Sequence, residues 1–425
     1  MAEKASPRAS APPSLHGAEW LKRPETARVF EVLSGDGIET RAVGGAVRDA
    51  LLGGDVTEVD FATTAVPEKV MARVRKAGLK AVPTGIAHGT VTVIADGVPF
   101  EVTTLRRDVE TFGRHAKVAF TEDWAEDARR RDFTLNALYA GRDGTLFDPL
   151  GGYEDLVAGR VRFIGDAQAR IKEDYLRILR FFRFNAYYGK GALDDVGLLA
   201  CVRQRGGLAQ LSAERVCGEL KRILVAPQAV PAVEALFDYG LLTEILGSAP
   251  RLARFARLVA IETALGREAS APLRLAALAV FVAEDAPRLA ARFKLSNADQ
   301  ALLALGAEET LDRGLPDESA AKELLYRRGA DAYAPRVLLA WAASGAAADD
   351  ADWGRAFGLP ERWQVPEFPV RGPDVTAVAN LKGPKLGEML RRLEQAWIDG
   401  GFAMDRDQLL AQVAMLSQKS PKQDQ

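Results

Sequence analysis

The stretch Ala42–Thr64, AVGGAVRDALLGGDVTEVDFATT, decides how the chain is read. A strand is expected over Thr40–Val43, a Gly44-Gly45 turn after it, and a short helix over Ala46–Leu52 that Gly53-Gly54 ends. A second strand is expected over Thr57–Ala62. Glycines at a strand-to-helix turn let backbone N–H groups approach a phosphate closely, and a helix start favours negative charge. Arg48, in the first turn of that helix, offers a forked pair of donors to the same anion. Glu58 and Asp60 stand two apart on the second strand and share a face, while Val59 and Phe61 point into a core. Paired acids repel each other. Mg2+ removes that cost and suits hard oxygen ligands beside a phosphate. A phosphate cradle next to metal carboxylates is equipment for phosphoryl or nucleotidyl transfer. By themselves the same residues read equally as a glycine turn with a solvated acidic strand face.

The whole string resembles the signature of the class II tRNA nucleotidyltransferase and poly(A) polymerase family, GG-x-VRD-x-LLG followed after a spacer by D-x-D. GGAVRDALLG stands intact at Gly44–Gly53, and Glu58 stands where the family usually has Asp. Glutamate is one methylene longer and still ligates Mg2+, with the metal or the strand slightly shifted. That departure bears on turnover more than on fold.

Upstream, Glu19–Leu33 reads as one helix with Trp20, Leu21, Val29, Phe30, Val32 and Leu33 on its apolar positions. Downstream, a helix is expected over Pro67–Ala77 with Thr64 in its N-cap region, then a short strand at Ala81-Val82. Thr90–Ala95 and the run through Phe100–Val102 alternate about Asp96-Gly97, a tight-turn pair, and read as a β-hairpin. Glu101 then occupies a defined face of the return strand. The family has an acid on such a strand, and EVTTLR (Glu101–Arg106) is similar to its version, which makes Glu101 a third candidate carboxylate; an exposed strand residue is the plain alternative. His88, in GIAHGTV, also matches a family string. Residues 106–115, RRDVETFGRH, read as a mobile loop over the site.

EDARRRDFTLNALYA, residues 126–140, resembles the family's RRDFT-x-NA motif. The resemblance implies that Arg131, Asp132 and Asn136 handle the incoming nucleotide's ribose and phosphates. A helix is expected over Asp166–Ala186, with Ile171, Tyr175, Ile178, Leu179 and Phe182 on one face. Asp174 and Arg177, three apart on it, make one edge that accepts from an exocyclic amino group and donates to the adjacent ring atom. Read without the resemblance, these charges are a solvated, ion-paired face. Glu173, Asp174 and Arg177 look like the family's ED-x-x-R motif, which implies selection of CTP and ATP by their base edges without a nucleic-acid template. Arg180 and Arg183 continue its arginine series. LSAERVCGELKRIL (residues 211–224) opens on the N-cap Ser212, has Arg215 three residues on, and is similar to another family helix start. LKGPKLGEML resembles the family's tail, which places Lys382 and Lys385 against the outer region of a tRNA acceptor arm; a packed helix with a polar face reads as well from any single lysine.

Length and composition set the frame. At 425 residues the chain has room for two to four domains, and no apolar run approaches a membrane span. A net charge of −2 gives no global case for nucleic-acid binding, so an RNA footprint has to be a local basic patch. The two cysteines, Cys201 and Cys217, have no metal-binding spacing and suit a reducing cytoplasm. His16, His88 and His115 are scattered, which disfavours a histidine-based metal site.

The expected fold is α+β. A polymerase-β-like nucleotidyltransferase head with a mixed sheet (residues 19–165) precedes an all-helical neck carrying the base-recognition helix (166–227), a body (228–310) and a tRNA-binding tail (311–416), between a disordered lead (1–18) and end (417–425). The resemblance implies addition of C and A nucleotides to the tRNA 3′ end. Glu58 and Asp60 would hold two Mg2+, with Glu101 as a third acid, and Gly44, Gly45, Arg48 and Arg131 would hold the phosphates. The substrates are CTP, ATP and tRNA, and no obligate protein partner is expected. Poly(A) synthesis or A-only addition uses the same motifs. An RNA-binding protein with a degenerate site is the reading from another class, motivated by Glu58.

Overall fold

The computed structural model describes residues 14–112, 115–307, 314–315 and 317–418, in two compact units, one up to Gly247 and one from Ser248. The expected disordered lead and end fall largely outside the described residues.

The first unit begins with α1 (Glu19–Lys22) and α2 (Pro24–Leu33). Pro24 splits the single helix expected there, because proline fits a first turn but not an interior. Next come β1 (Thr40–Val43), α3 (Gly45–Leu51), β2 (Asp60–Thr63), α4 (Pro67–Lys76), β3 (Lys80–Gly85), β4 (Thr90–Ala95) and β5 (Val98–Thr104). The cap of α4 is Val66, with no side-chain hydrogen bond, and not Thr64. Asp96 and Gly97 both take positive φ, 49° and 83°, as the tight hairpin turn demands.

Of the residues expected to form a mobile loop, 106–112 and 115 are strand, in a two-stranded antiparallel sheet of β6 (Arg106–Phe112) with β7 (His115–Phe120), and 113 and 114 lie outside the described residues. After it come α5 (Trp124–Arg129), β8 (Tyr139–Ala140), β9 (Leu146–Phe147), α6 (Gly152–Ala158), α7 (Ala167–Glu173), α8 (Leu176–Tyr188), α9 (Asp195–Arg203), α10 (Ala213–Leu224), α11 (Ala229–Asp238) and α12 (Leu241–Leu246).

The seven-stranded sheet runs β3-β4-β5-β2-β1-β8-β9, mixed because β2 and β5 are parallel while the other neighbours are antiparallel. Val91, Val93 and Ala95 are buried and alternate with half-buried Thr90, Thr92 and Ile94, which is the period a half-covered sheet requires. Phe61 of β2 meets Phe30 of α2 edge-on, ring centroids 4.9 Å apart, and that contact seats α2 on the sheet. The second unit is helical among its described residues, from α13 (Leu252–Ala264) to α23 (Arg406–Gln418). Its last core gathers Val375 of α21 (Gly372–Ala379), Leu393 and Trp397 of α22 (Pro384–Asp399), and Leu409 and Val413.

Candidate active site

Gly44 has φ 70° and ψ −118°, a conformation closed to other residues, and it turns β1 directly into α3. β1 pairs with β2 so that Val43 faces Asp60, which brings Asp60 to the mouth of that turn. The strand starts at Asp60, not at Thr57. β1 leaves the sheet at Gly44, so Glu58 has no partner strand there and lies ahead of β2, exposed. The parallel register of Phe61 on Val102 sets Asp60 beside Glu101.

This crowding of acids has an electrostatic signature. Asp60 keeps an exposed face, but the protein around its carboxyl displaces enough water to push it up to about 6; Glu101 adds to the rise, Arg131 opposes it, and Glu58 contributes last. The ion that such a cluster favours is a cation. Among the described residues no group of three or more His, Cys, Asp or Glu side chains surrounds a single point.

A cavity of about 410 Å³ opens beside Asp60. Its walls include Gly44, Gly45, Arg48, Arg131, Asp132, Asn136, Asp174, Arg177 and Arg180, so most of the sequence-predicted nucleotide residues meet in one space. Glu58 and Glu101 line a second cavity that also includes Asp60. Arg183 lines neither of these two cavities. It is paired with the buried Glu219 at 3.2 Å. Lys382 and Lys385 lie at the start of α22 in the second unit, both exposed.

The walls are held by a continuous network. Asp127, buried in α5, accepts from Arg130 at 2.8 Å, from Arg131 at 3.2 Å and from the Tyr139 hydroxyl at 2.9 Å. Arg131 is thereby fixed with its remaining NH1 turned toward Gly44. Asp132 accepts from the Phe133 N–H at 2.9 Å, from Asn136 at 3.0 Å and from Arg180 Nε at 2.7 Å. Burial alone would raise its carboxyl. The Arg180 charge and these hydrogen bonds instead hold it down at about 2, so it is an acceptor at every working pH. Asn136 in turn accepts from Arg48 at 2.7 Å. Arg48 is buried, forks onto Asp49 and lies 4.2 Å over the Tyr188 ring. Its donors are therefore committed to the wall, where the sequence reading had aimed them at an anion.

The helix expected over Asp166–Ala186 is broken at Asp174, whose backbone is extended (φ −155°, ψ 106°). Its carboxylate accepts from the Leu176 N–H at 3.1 Å and starts α8 afresh. Asp174 and Arg177 are therefore not successive residues of one helix face. Arg177 bonds Glu173 and the Arg170 carbonyl, while Asp174 accepts from Arg215 at 2.6 Å. Arg215, Arg130 and Phe184 also line the cavity and were absent from the sequence-predicted set. For Arg215 the available signal was its place three residues past the N-cap Ser212.

Residues 40–162 match the model of the poly(A) polymerase head domain, and 198–255 that of a probable RNA- and SrmB-binding site of polymerase A. The mitochondrial CCA tRNA nucleotidyltransferase 1 of Mus musculus is 36% identical over 413 residues, 92% of this chain and 92% of that protein. The chain belongs to the CCA tRNA nucleotidyltransferase family. Another of its members, the CCA-adding enzyme of Geobacillus thermodenitrificans, is 39% identical over 225 residues, 52% of this chain and 54% of that one. The crystal structure of the Bacillus stearothermophilus CCA-adding enzyme in complex with CTP superposes with a TM-score of 0.70 at 28% identity, covering 93% of this chain and 97% of that one. The mixed sheet and the helical run behind it are thus the fold of the family.

Proposed function

We propose that this protein adds C and A nucleotides to the 3′ end of tRNA without a template, taking them from CTP and ATP and releasing pyrophosphate. The observation that carries this reading is the first cavity. It brings the glycine turn, Arg131, the ionised Asp132 and the Asp174/Arg177 pair around one space with Asp60 in its wall. A nucleoside triphosphate fits it with the phosphates at Gly44-Gly45 and Arg131, the ribose near Asp132, and the base edge at Asp174 and Arg177. On binding, the base takes over donors and acceptors that Arg215 and Glu173 now occupy. Arg48, Asn136 and Arg180 hold the walls in place, which is preorganisation for the transition-state charge.

The family is metal-dependent. We assign Mg2+ to Asp60 and Glu58, with Glu101 beside Asp60, because the raised Asp60 carboxyl marks acids in want of a cation. The ions, when bound, supply charge stabilisation and activate the RNA 3′-hydroxyl. We assign the nucleotide chemistry to the head (19–165) and neck (166–227), and the outer part of the tRNA to the tail through Lys382 and Lys385. No helix among the described residues is long and apolar enough to cross a membrane, and a cytoplasmic site of action suits two buried cysteines that no disulfide joins.

The test is incorporation of labelled CTP and ATP, separately and together, into tRNA transcripts that end at the discriminator base, with Mg2+. Ordered addition of two C and one A is expected. Addition of A alone to any RNA end would replace this reading with poly(A) or A-only synthesis. Binding of tRNA with no incorporation would replace it with a degenerate, RNA-binding site.

A further inference from the structure

Arg177, Arg180, Phe184 and Tyr188 follow one another along α8 at spacings of three, four and four residues, so they form a single stripe of that helix. The first three line the first cavity. Arg177 stands at the end assigned to the base, Arg180 holds Asp132 from the next turn, and Phe184 closes the wall. Tyr188 comes one turn later and reaches α3 instead. Its hydroxyl donates to Asp49 Oδ1 at 3.1 Å. Arg48 of the same short helix lies 4.2 Å over the Tyr188 ring and 5.4 Å over the Phe184 ring. The two rings are stacked, centroids 5.8 Å apart and planes 28° apart.

This stripe connects the two ends of the site. α3 is the helix that Gly44 starts, so it carries the turn assigned to the phosphates. The 13 residues of α8 extend about 20 Å, from the base corner to the flank of α3. Where α8 sits against α3 therefore sets the distance between the groups for the base and the turn for the phosphates. Tyr188 fixes that seat with a hydrogen bond and with a ring on a buried guanidinium.

The contact also has a direction. Asp49 accepts from Arg48 Nε at 3.0 Å and from NH2 at 3.1 Å, which turns NH1 onto Asn136 Oδ1 at 2.7 Å. Asn136 thus lies between a group that only donates, Arg48, and one that only accepts, the ionised Asp132. Its amide fits one way round, oxygen toward Arg48 and nitrogen toward Asp132. The wall assigned to the ribose is traced in this way through Arg48 and Asp49 to Tyr188. Burial, opposed by Arg48 and reinforced by Asp49, pushes the Tyr188 hydroxyl up to about 12, so it stays a donor at neutral pH.

We propose that Tyr188 is a positioning residue for the nucleotide site, setting α8 against α3 and, through Arg48 and Asn136, the choice of ribose over 2′-deoxyribose. The proposal rests on the reading of the first cavity as the CTP and ATP site and adds a residue outside its wall that determines how selective it is.

The experiment uses the full chain with Mg2+ and an RNA minihelix of the acceptor stem ending at the discriminator base. Half-saturating concentrations of CTP and of minihelix, turnover at saturation, and the preference for CTP over 2′-deoxyCTP are measured separately. Tyr188→Phe keeps the ring and removes the hydroxyl. It is expected to raise CTP half-saturation about threefold, the worth of one net hydrogen bond, and to lower the preference for the ribonucleotide by a similar factor. Tyr188→Leu removes the ring as well and should raise CTP half-saturation about tenfold. The minihelix value should hold in both. A purely structural role would lower turnover and melting temperature while CTP half-saturation and the 2′-deoxy preference stayed at their parent values. That outcome, or CTP and minihelix values rising together, would overturn the proposal and leave the proposed function intact. Tyr188→Phe is nearly isosteric and carries the test by itself if Tyr188→Leu fails to fold. A parent protein that incorporates no CTP would overturn the function itself, and the positioning role with it.

Discussion

Two aspartates in one cavity wall titrate in opposite directions, and the contrast separates their work. Asp132 is surrounded by donors and held down at about 2. Asp60 is raised to about 6, first by burial and then by Glu101, with Arg131 opposing. A carboxyl raised from its ordinary 3.8 binds its proton more tightly in the folded protein, so the stability linked to it is fully present below 3.8 and is lost as pH rises through 6. Asp60→Asn removes that cost. The variant should melt above the parent at pH 7.5 in metal-free buffer, with the gap closing as pH falls below 6, and it should have no turnover at any Mg2+ concentration. Equal melting at pH 7.5, or retained incorporation, would remove Asp60 from the metal site. At this scale the sequence was largely legible. Most of the residues that the sequence singled out for the nucleotide meet in the wall of one cavity, because they sit within short strings, Gly44–Arg48 and Arg131–Asn136, whose local geometry follows from spacing. Arg215 was not legible as a wall residue, because it reaches Asp174 from 41 residues away in the chain.

Periodicity reads packing faces well and breaks in a helix poorly. The apolar stripe from Ile171 to Phe182 runs straight through Asp174, so the spacing predicts one helix where the structure has two. The break is made by a contact that no local pattern carries. Tyr175 lies against Gly207, where an added Cβ would come within 2.0 Å of the ring. Tyr175 sits between Asp174 and Leu176, both in the cavity wall, so this fit sets the corner to which base reading is assigned in the proposed function. Gly207→Val should displace the ring and with it Asp174. We expect a loss of about 1–3 kcal/mol from overpacking, seen as a lower midpoint in urea. CTP half-saturation should rise with it, and the minihelix value should hold. A variant with normal CTP affinity would show that the corner is set elsewhere. The paired strands β6 and β7 were misread for a related reason. Its charged residues and glycine match a loop as well as an edge ribbon, and only strand pairing tells the two apart.

For the molecule as a whole, resemblance carried what spacing did not. No local signal places β5 parallel to β2, yet that pairing sets Glu101 beside Asp60. Charge poses the remaining question, since a chain of net −2 has to hold a polyanion. The attraction therefore comes from local sites. In the first unit the arginines that line the first cavity face the nucleotide in the proposed function, and in the second unit the exposed Lys382 and Lys385 are the proposed contribution to holding RNA. Each lysine that neutralises an RNA phosphate releases a condensed counterion, so its loss weakens binding and flattens the salt dependence together. Lys382→Glu with Lys385→Glu should raise the half-saturating concentration of full tRNA and lower the slope of log affinity against log salt by about one per lysine. CTP half-saturation should stay put. A minihelix too short to reach the outer acceptor region should be indifferent to the change. If the salt slope is unaltered while affinity falls, the two lysines act through the packing of α22 and not on phosphate, and the tail's hold on the RNA lies on another face.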